Sequence, residues 1–145
     1  MSIEVISRLW LSDYKITKNN NFLINKNIKL LINVSNNIPF YKNLKEIDLK
    51  YYRFDINEKV NYKKINKILS IINKNIIENK SVLIYCNSGT QHAPTLITFY
   101  LIKYANIDIL NIENIIKSKK SNVFYPENNL KHLCDKYIYH DNKNI

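Results

Sequence analysis

Val82-Leu83-Ile84-Tyr85-Cys86-Asn87-Ser88-Gly89-Thr90-Gln91-His92 contains the single glycine of this 145-residue chain. The apolar run into Cys86 reads as a strand, and the polar residues around Gly89 read as a loop. Residues 94–104 are apolar enough for a buried helix, and Pro94 suits its first turn, where no amide donor is needed. Strand, loop and helix N-terminus together form a phosphate site. Backbone N–H groups point inward, the helix dipole adds partial positive charge, and Gly89 permits the turn. A Cys at the start of that loop is placed to act as a nucleophile, its thiolate favoured by the same field. Taken alone, however, a strand-ending Cys is more often a buried core thiol.

Outward from this stretch, strands are predicted over residues 5–11, 29–34, 46–54 and 82–85. Helices are predicted over 61–78, 94–104, 109–118 and 127–139. Asp108 suits a helix start and Pro126 the entry to the last helix. Ile65, Ile68, Leu69, Ile72 and Ile76 fall on one face of the first predicted helix, with Lys63, Lys64, Lys67 and Lys74 on a solvated basic face. Strands alternating with helices argue for an α/β sheet covered on both faces. The length fits one domain, read as residues 1–140, with 141–145 expected to be a disordered tail.

Cys86, Gly89 and position 92 fall on the Cys-x-x-Gly-x-x-Arg signature of the cysteine-dependent protein phosphatases. The chain resembles their compact dual-specificity branch, and most of all its poxvirus members. The resemblance covers nearly the whole chain. Ser7-Arg8-Leu9-Trp10-Leu11-Ser12 is similar to the opening strand, Leu30-Leu31-Ile32-Asn33-Val34-Ser35 to the next core strand, and Asn129-Leu130 onward to the closing helix. Tyr52-Arg53-Phe54-Asp55 resembles the segment carrying the general-acid Asp. The resemblance thus implies a compact dual-specificity-phosphatase fold with a central, mostly parallel sheet flanked by helices. It places Cys86 as nucleophile, Asp55 as general acid, and Asn87, Ser88, Gly89, Thr90, Gln91 and His92 around phosphate. By residue type alone, Asp55 and its neighbour Glu58 serve equally well as solvated loop carboxylates.

Three positions depart from the family pattern. The arginine is His92, and a guanidinium grips two phosphate oxygens at once through paired charge-assisted hydrogen bonds. Imidazole has no fork and a shorter reach, and as a class it is only fractionally charged near neutral pH. His92 therefore reads either as a weak phosphate ligand or as a plain loop residue. The family's His before the nucleophile is Tyr85, and the Ser or Thr after the arginine is Ala93. The chain has two arginines, Arg8 and Arg53, and neither is near the loop in sequence. Cys86 and Asp55 are thereby read as vestigial, and the chain as a pseudophosphatase.

The formal net charge is +10, but Asn, Ile and Lys make up nearly half of the residues, as AT-rich coding would produce. Surface lysine from codon bias is the plain reading of that charge; a basic surface that steers acidic partners is the other. Lys117, Lys119 and Lys120 form a second small cluster. Nucleic acid is not expected as a partner, because no aromatic platform or groove motif supports it. No apolar run reaches membrane-spanning length and no signal-peptide pattern opens the chain. Two cysteines, Cys86 and Cys134, suggest no disulfide framework, hence a reducing intracellular, cytoplasmic setting, virus-encoded on the poxvirus resemblance. The sequons at Asn33 and Asn79 are then incidental. No metal or cofactor is called for. The chain starts almost at its first strand, without the N-terminal dimerisation helix of the poxvirus enzyme, so a monomer or weak dimer is expected.

Three functions follow. The first is a protein-binding module whose partner is phosphorylated or not. The second is a slow phosphatase using Cys86 with His92 in place of arginine. The third is a phosphatase of RNA 5′ ends, favoured only by the charge.

Overall fold

The computed structural model describes residues 2–57, 59, 61–124 and 130–143. Five strands, β1 (Ile3–Ile6), β2 (Leu9–Asp13), β3 (Ile28–Asn33), β4 (Lys50–Arg53) and β5 (Ser81–Cys86), form one sheet in the order β1-β2-β5-β3-β4. Only the β1–β2 pair is antiparallel. The helices are α1 (Asn20–Asn25), α2 (Tyr62–Ile77), α3 (His92–Tyr104), α4 (Ile109–Lys119) and α5 (Lys131–Lys143). This is the compact, mostly parallel α/β architecture expected.

Central β5 is buried along its whole length, which is why it reads as a continuous apolar run rather than an alternation. Its side chains still divide by parity. Val82, Ile84 and Cys86 join the larger core with α2, α3, α4 and α5, while Leu83 and Tyr85 join a smaller core under α1. The helical cover is therefore lopsided.

Several boundaries differ from the sequence expectations. The strand expected at 5–11 is a hairpin, turned at Ser7 and Arg8, with Arg8 at φ 68 and its N–H on Glu4 Oε2 at 3.0 Å. The strand expected at 46–54 shortens to β4, because Lys42–Glu46 forms a 3-10 turn. Helix α1 has only six residues, capped by the Asn19 side chain, and its polar Asn-rich sequence carries no periodic signal. Asp108 caps α4 by accepting the Asn111 N–H at 3.0 Å, as expected. Helix α5 continues to Lys143, so residues 141–143 of the expected tail are helical; 144–145 and the Pro126 entry lie outside the described residues. The Asn33 sequon is buried, with its amide donating to Ile38 O and accepting from Ser35 Oγ.

Candidate active site

The carboxyl ends of the parallel strands lie side by side. Ser12 of β2, Tyr85 of β5, Asn33 of β3 and Arg53 of β4 form one row across the sheet. Asp13 pairs with Cys86 in the next row, and the Phe54 N–H donates to Asn33 O at 2.9 Å. Asp55 follows immediately, on the same sheet edge as Cys86. Strand β4, which ends two residues before Asp55, is separated from β5 by β3, about 10 Å in all.

After Cys86 the chain turns back around its sulfur. The N–H groups of Gly89 and Ala93 point at Cys86 Sγ, at 3.2 and 3.4 Å. Gly89 has φ +73, and a Cβ there would lie 2.9 Å from both the C and O atoms of Ser12. The glycine therefore serves the turn and also a close approach to β2, the second of which the sequence did not reveal. Helix α3 starts at His92, two residues earlier than predicted, and no side chain caps it through Gln91. Of its first turn, the Ala93 N–H faces the loop, whereas Pro94 has no N–H and the Thr95 N–H donates to Gln91 O. The Ala93 amide and the helix dipole stabilise negative charge on the sulfur.

Asn87 and Ser88 are exposed, Thr90 and Gln91 half-buried, and the hydroxyls of Ser88 and Thr90 lie 2.6 Å apart. The Phe124 N–H donates to Thr90 O at 2.8 Å and fastens the loop from outside. Phe124 does so at φ 61, a conformation costly for an aromatic residue. Sequence reasoning missed this residue, and the irregular segment around it offers no periodic signal. It also missed Asp13, which strand register alone brings beside Cys86.

His92 is the first residue of α3 and is exposed. No guanidinium takes its place. Arg53 donates to Ser35 O at 2.8 Å and to Ile38 O at 2.6 Å, and its guanidinium lies over the Phe40 ring. Arg8 Nε donates to Ile76 O, at the opposite end of the sheet. Tyr85 is on the other face of the sheet from Cys86 Sγ, wholly buried. Burial pushes its hydroxyl well above the ordinary tyrosine range, against the lowering effect of nearby Arg53 and Asn33. That hydroxyl makes no hydrogen bond of good geometry, although the Asn33 side chain is beside it. Asp55 is exposed, its carboxylate accepting from Asn57 Nδ2 at 3.3 Å. Glu58 lies outside the described residues. Among the described residues no group of His, Cys, Asp and Glu is placed to hold a metal ion.

A profile of the dual specificity phosphatase catalytic domain matches residues 9–138. The chain belongs to the dual-specificity phosphatase family. A probable dual specificity protein phosphatase from Dictyostelium discoideum is 32% identical over 107 residues, 66% of this chain and 46% of that protein. Human dual specificity protein phosphatase 6 is 27% identical over 135 residues, covering 92% of this chain and 35% of the relative. The chain thus spans less than half the length of these two curated relatives. Human DUSP28 has the same fold, with a TM-score of 0.84 at 14% identity over 98% of this chain and 99% of its own. So does a human tyrosine phosphatase-like serine/threonine/tyrosine-interacting protein, with a TM-score of 0.80 at 14% identity over 94% and 95%. Within this dual-specificity phosphatase domain, the nucleophile position and the loop amides come together around one sulfur. The signature guanidinium does not.

Proposed function

We infer that this dual-specificity phosphatase domain is catalytically impaired and acts by binding a protein, phosphorylated or not. One observation carries the reading: position 92 is an exposed imidazole, while both arginines are committed to backbone carbonyls elsewhere. Losing one partner of a desolvated charge pair costs about 2–5 kcal/mol, or roughly 30- to several-thousand-fold in rate. The Tyr85 side chain, facing away from the sulfur, and Ala93, without a hydroxyl, support the same conclusion. One structural neighbour, the human tyrosine phosphatase-like serine/threonine/tyrosine-interacting protein, is named in similar terms. A poxvirus-type origin, a cytoplasmic setting and a monomeric or weakly dimeric state belong to this proposal.

The test is turnover of a small aryl phosphate from about pH 5 to about pH 8, with Cys86→Ser as the blank and His92→Arg as the gain-of-function control. The native chain should give no signal above the blank. Turnover abolished by Cys86→Ser would overturn the reading.

The persistence of Cys86 under two amide donors, with Asp55 on the same sheet edge, favours a second reading: slow catalysis. Sγ would attack phosphorus as the ester P–O bond breaks, and Asp55 would protonate the departing oxygen. Water would then cleave the S–P bond and release phosphate and the thiol. His92→Arg would then raise the turnover, because a guanidinium grips two phosphate oxygens where one imidazole cannot. No gain in that variant would exclude it.

A further inference from the structure

Beyond the phosphate loop, the outer edge of the sheet carries a second site. Strand β4 is that edge, and among the described residues no strand lies past it. The Phe54 N–H is directed at Asn33, and backbone groups alternate along a strand. The amides and carbonyls of Tyr51 and Arg53 must therefore face outward. A cleft of about 380 Å³ runs between this edge and α2, lined among others by Lys29, Lys50, Tyr52, Ile71 and Lys74.

The charge of this cleft is one-sided. Lys29 is 3.8 Å from Asp48, and Lys80 is 3.1 Å from Glu78, so both carboxylates of the cleft are already answered. Lys50 and Lys74 are exposed and have no carboxylate partner among the described residues. Helical spacing continues the stripe of Ile71 and Lys74 back through Lys67 and Lys64, both exposed. Because β4 runs toward the Cys86 edge and α2 runs back from it, this stripe leads from the cleft toward the candidate active site. Lys64 to Lys74 spans about 15 Å of helix, the length of four or five residues of extended chain.

We propose that the β4–α2 cleft docks an acidic, extended segment of a partner protein, which adds as a strand to β4 and sets its carboxylates against Lys50, Lys74, Lys67 and Lys64. A peptide satisfies both features at once, main-chain pairing with the edge and charge pairing with the lysines. A nucleic acid could answer only the second. The proposal rests on the reading that the domain works by binding protein, and it names the partner's chemistry.

The test uses a labelled, unphosphorylated peptide of about twelve residues alternating Glu and Thr, long enough to cover the edge, followed by fluorescence anisotropy with the full chain. Lys50→Glu with Lys74→Glu should weaken binding by about tenfold or more. Lys42→Glu with Lys117→Glu, which changes net charge equally on other exposed surfaces, should change it by less than about threefold. Methylating alternate peptide amides should also cost about tenfold or more. Equal weakening by both lysine pairs, indifference to methylation, no binding by the native chain, or tighter capture of single-stranded DNA through the same lysines would each overturn the proposal. Cys86→Ser should leave peptide affinity unchanged, and turnover in the aryl phosphate assay leaves this result untouched. Failure here is thus distinguishable from failure of the pseudophosphatase reading.

Discussion

At the scale of single residues, Gly89 and His92 pull in opposite directions. Gly89 keeps the loop turned around Cys86 Sγ, whereas His92 stands where the family has a guanidinium. The signature spacing made Cys86 and Gly89 readable before any coordinates, and the missing arginine was readable in the same way. What sequence could not supply was the commitment of Arg53 to Ser35 O and Ile38 O, or of Arg8 to Ile76 O, since both depend on contacts between distant segments. The need for Gly89 is open to direct measurement. An alanine there combines a left-handed backbone, about 1–2 kcal/mol, with a Cβ pressed to 2.9 Å against the backbone of Ser12, a clash worth about 1–3 kcal/mol. Gly89→Ala should therefore lower unfolding stability by roughly 2–5 kcal/mol in a denaturant titration. A loss below about 0.5 kcal/mol, the scatter of neutral surface changes, would mean that the loop does not need this glycine.

Secondary-structure elements show how a chain with one glycine finishes its helices. Asn27, Asn79 and Asn106 follow the C-caps of α1, α2 and α3, all at positive φ. Asparagine is the residue after glycine that tolerates this conformation best. At the end of α2 the closure is a Schellman arrangement, with Lys80 N–H on Asn75 O at 2.9 Å and Asn79 N–H on Ile76 O at 3.1 Å. Asn79→Ala should cost about 1 kcal/mol, since only the backbone preference changes at an exposed site. That corresponds to a fall of about 3 °C in Tm. An unchanged melting temperature would show that the αL cap is energetically idle. The same substitution of Asn for Gly explains why some boundaries were hidden in the sequence. Asparagine is so abundant here that its caps do not stand out from its background, and α1 is flanked by it on both sides. By contrast, α2 and α4 were legible nearly to the residue, because their isoleucines recur at helical spacing and Asp108 is a capping residue with few competitors. The hairpin of β1 and β2 read as one strand because its turn contains neither Gly nor Pro, only Arg8 held at positive φ.

At the scale of the whole molecule, tyrosine burial sets a stability limit at high pH. Tyr85 and Tyr137 are both fully buried and lie in different cores, on opposite faces of the sheet. Burial is the main reason that both phenols are pushed well above their ordinary range, with Asp141 adding to the shift at Tyr137. Tyr100 shifts in the same direction, again chiefly by burial. The folded chain therefore retains protons that the unfolded chain releases above about pH 10. The stability tied to these phenols is complete below that pH and is lost as pH rises from the unfolded value toward the folded one. Each group contributes a slope of about 1.4 kcal/mol per pH unit within that window. Tyr85 is the cleanest place to test this, because its hydroxyl makes no hydrogen bond of good geometry. Tyr85→Phe should leave stability at neutral pH unchanged or raise it by about 1 kcal/mol, by removing an unpaired polar atom from the interior. It should also flatten the alkaline fall by about one proton. Denaturant titrations of both chains between about pH 7 and about pH 11 read the two effects separately. If the alkaline slopes were identical, the Tyr85 phenol would have to ionise inside the folded protein, and the smaller core would have to be wet. If stability at neutral pH fell instead, the hydroxyl would have a partner in solution that helps hold the sheet beneath the phosphate loop.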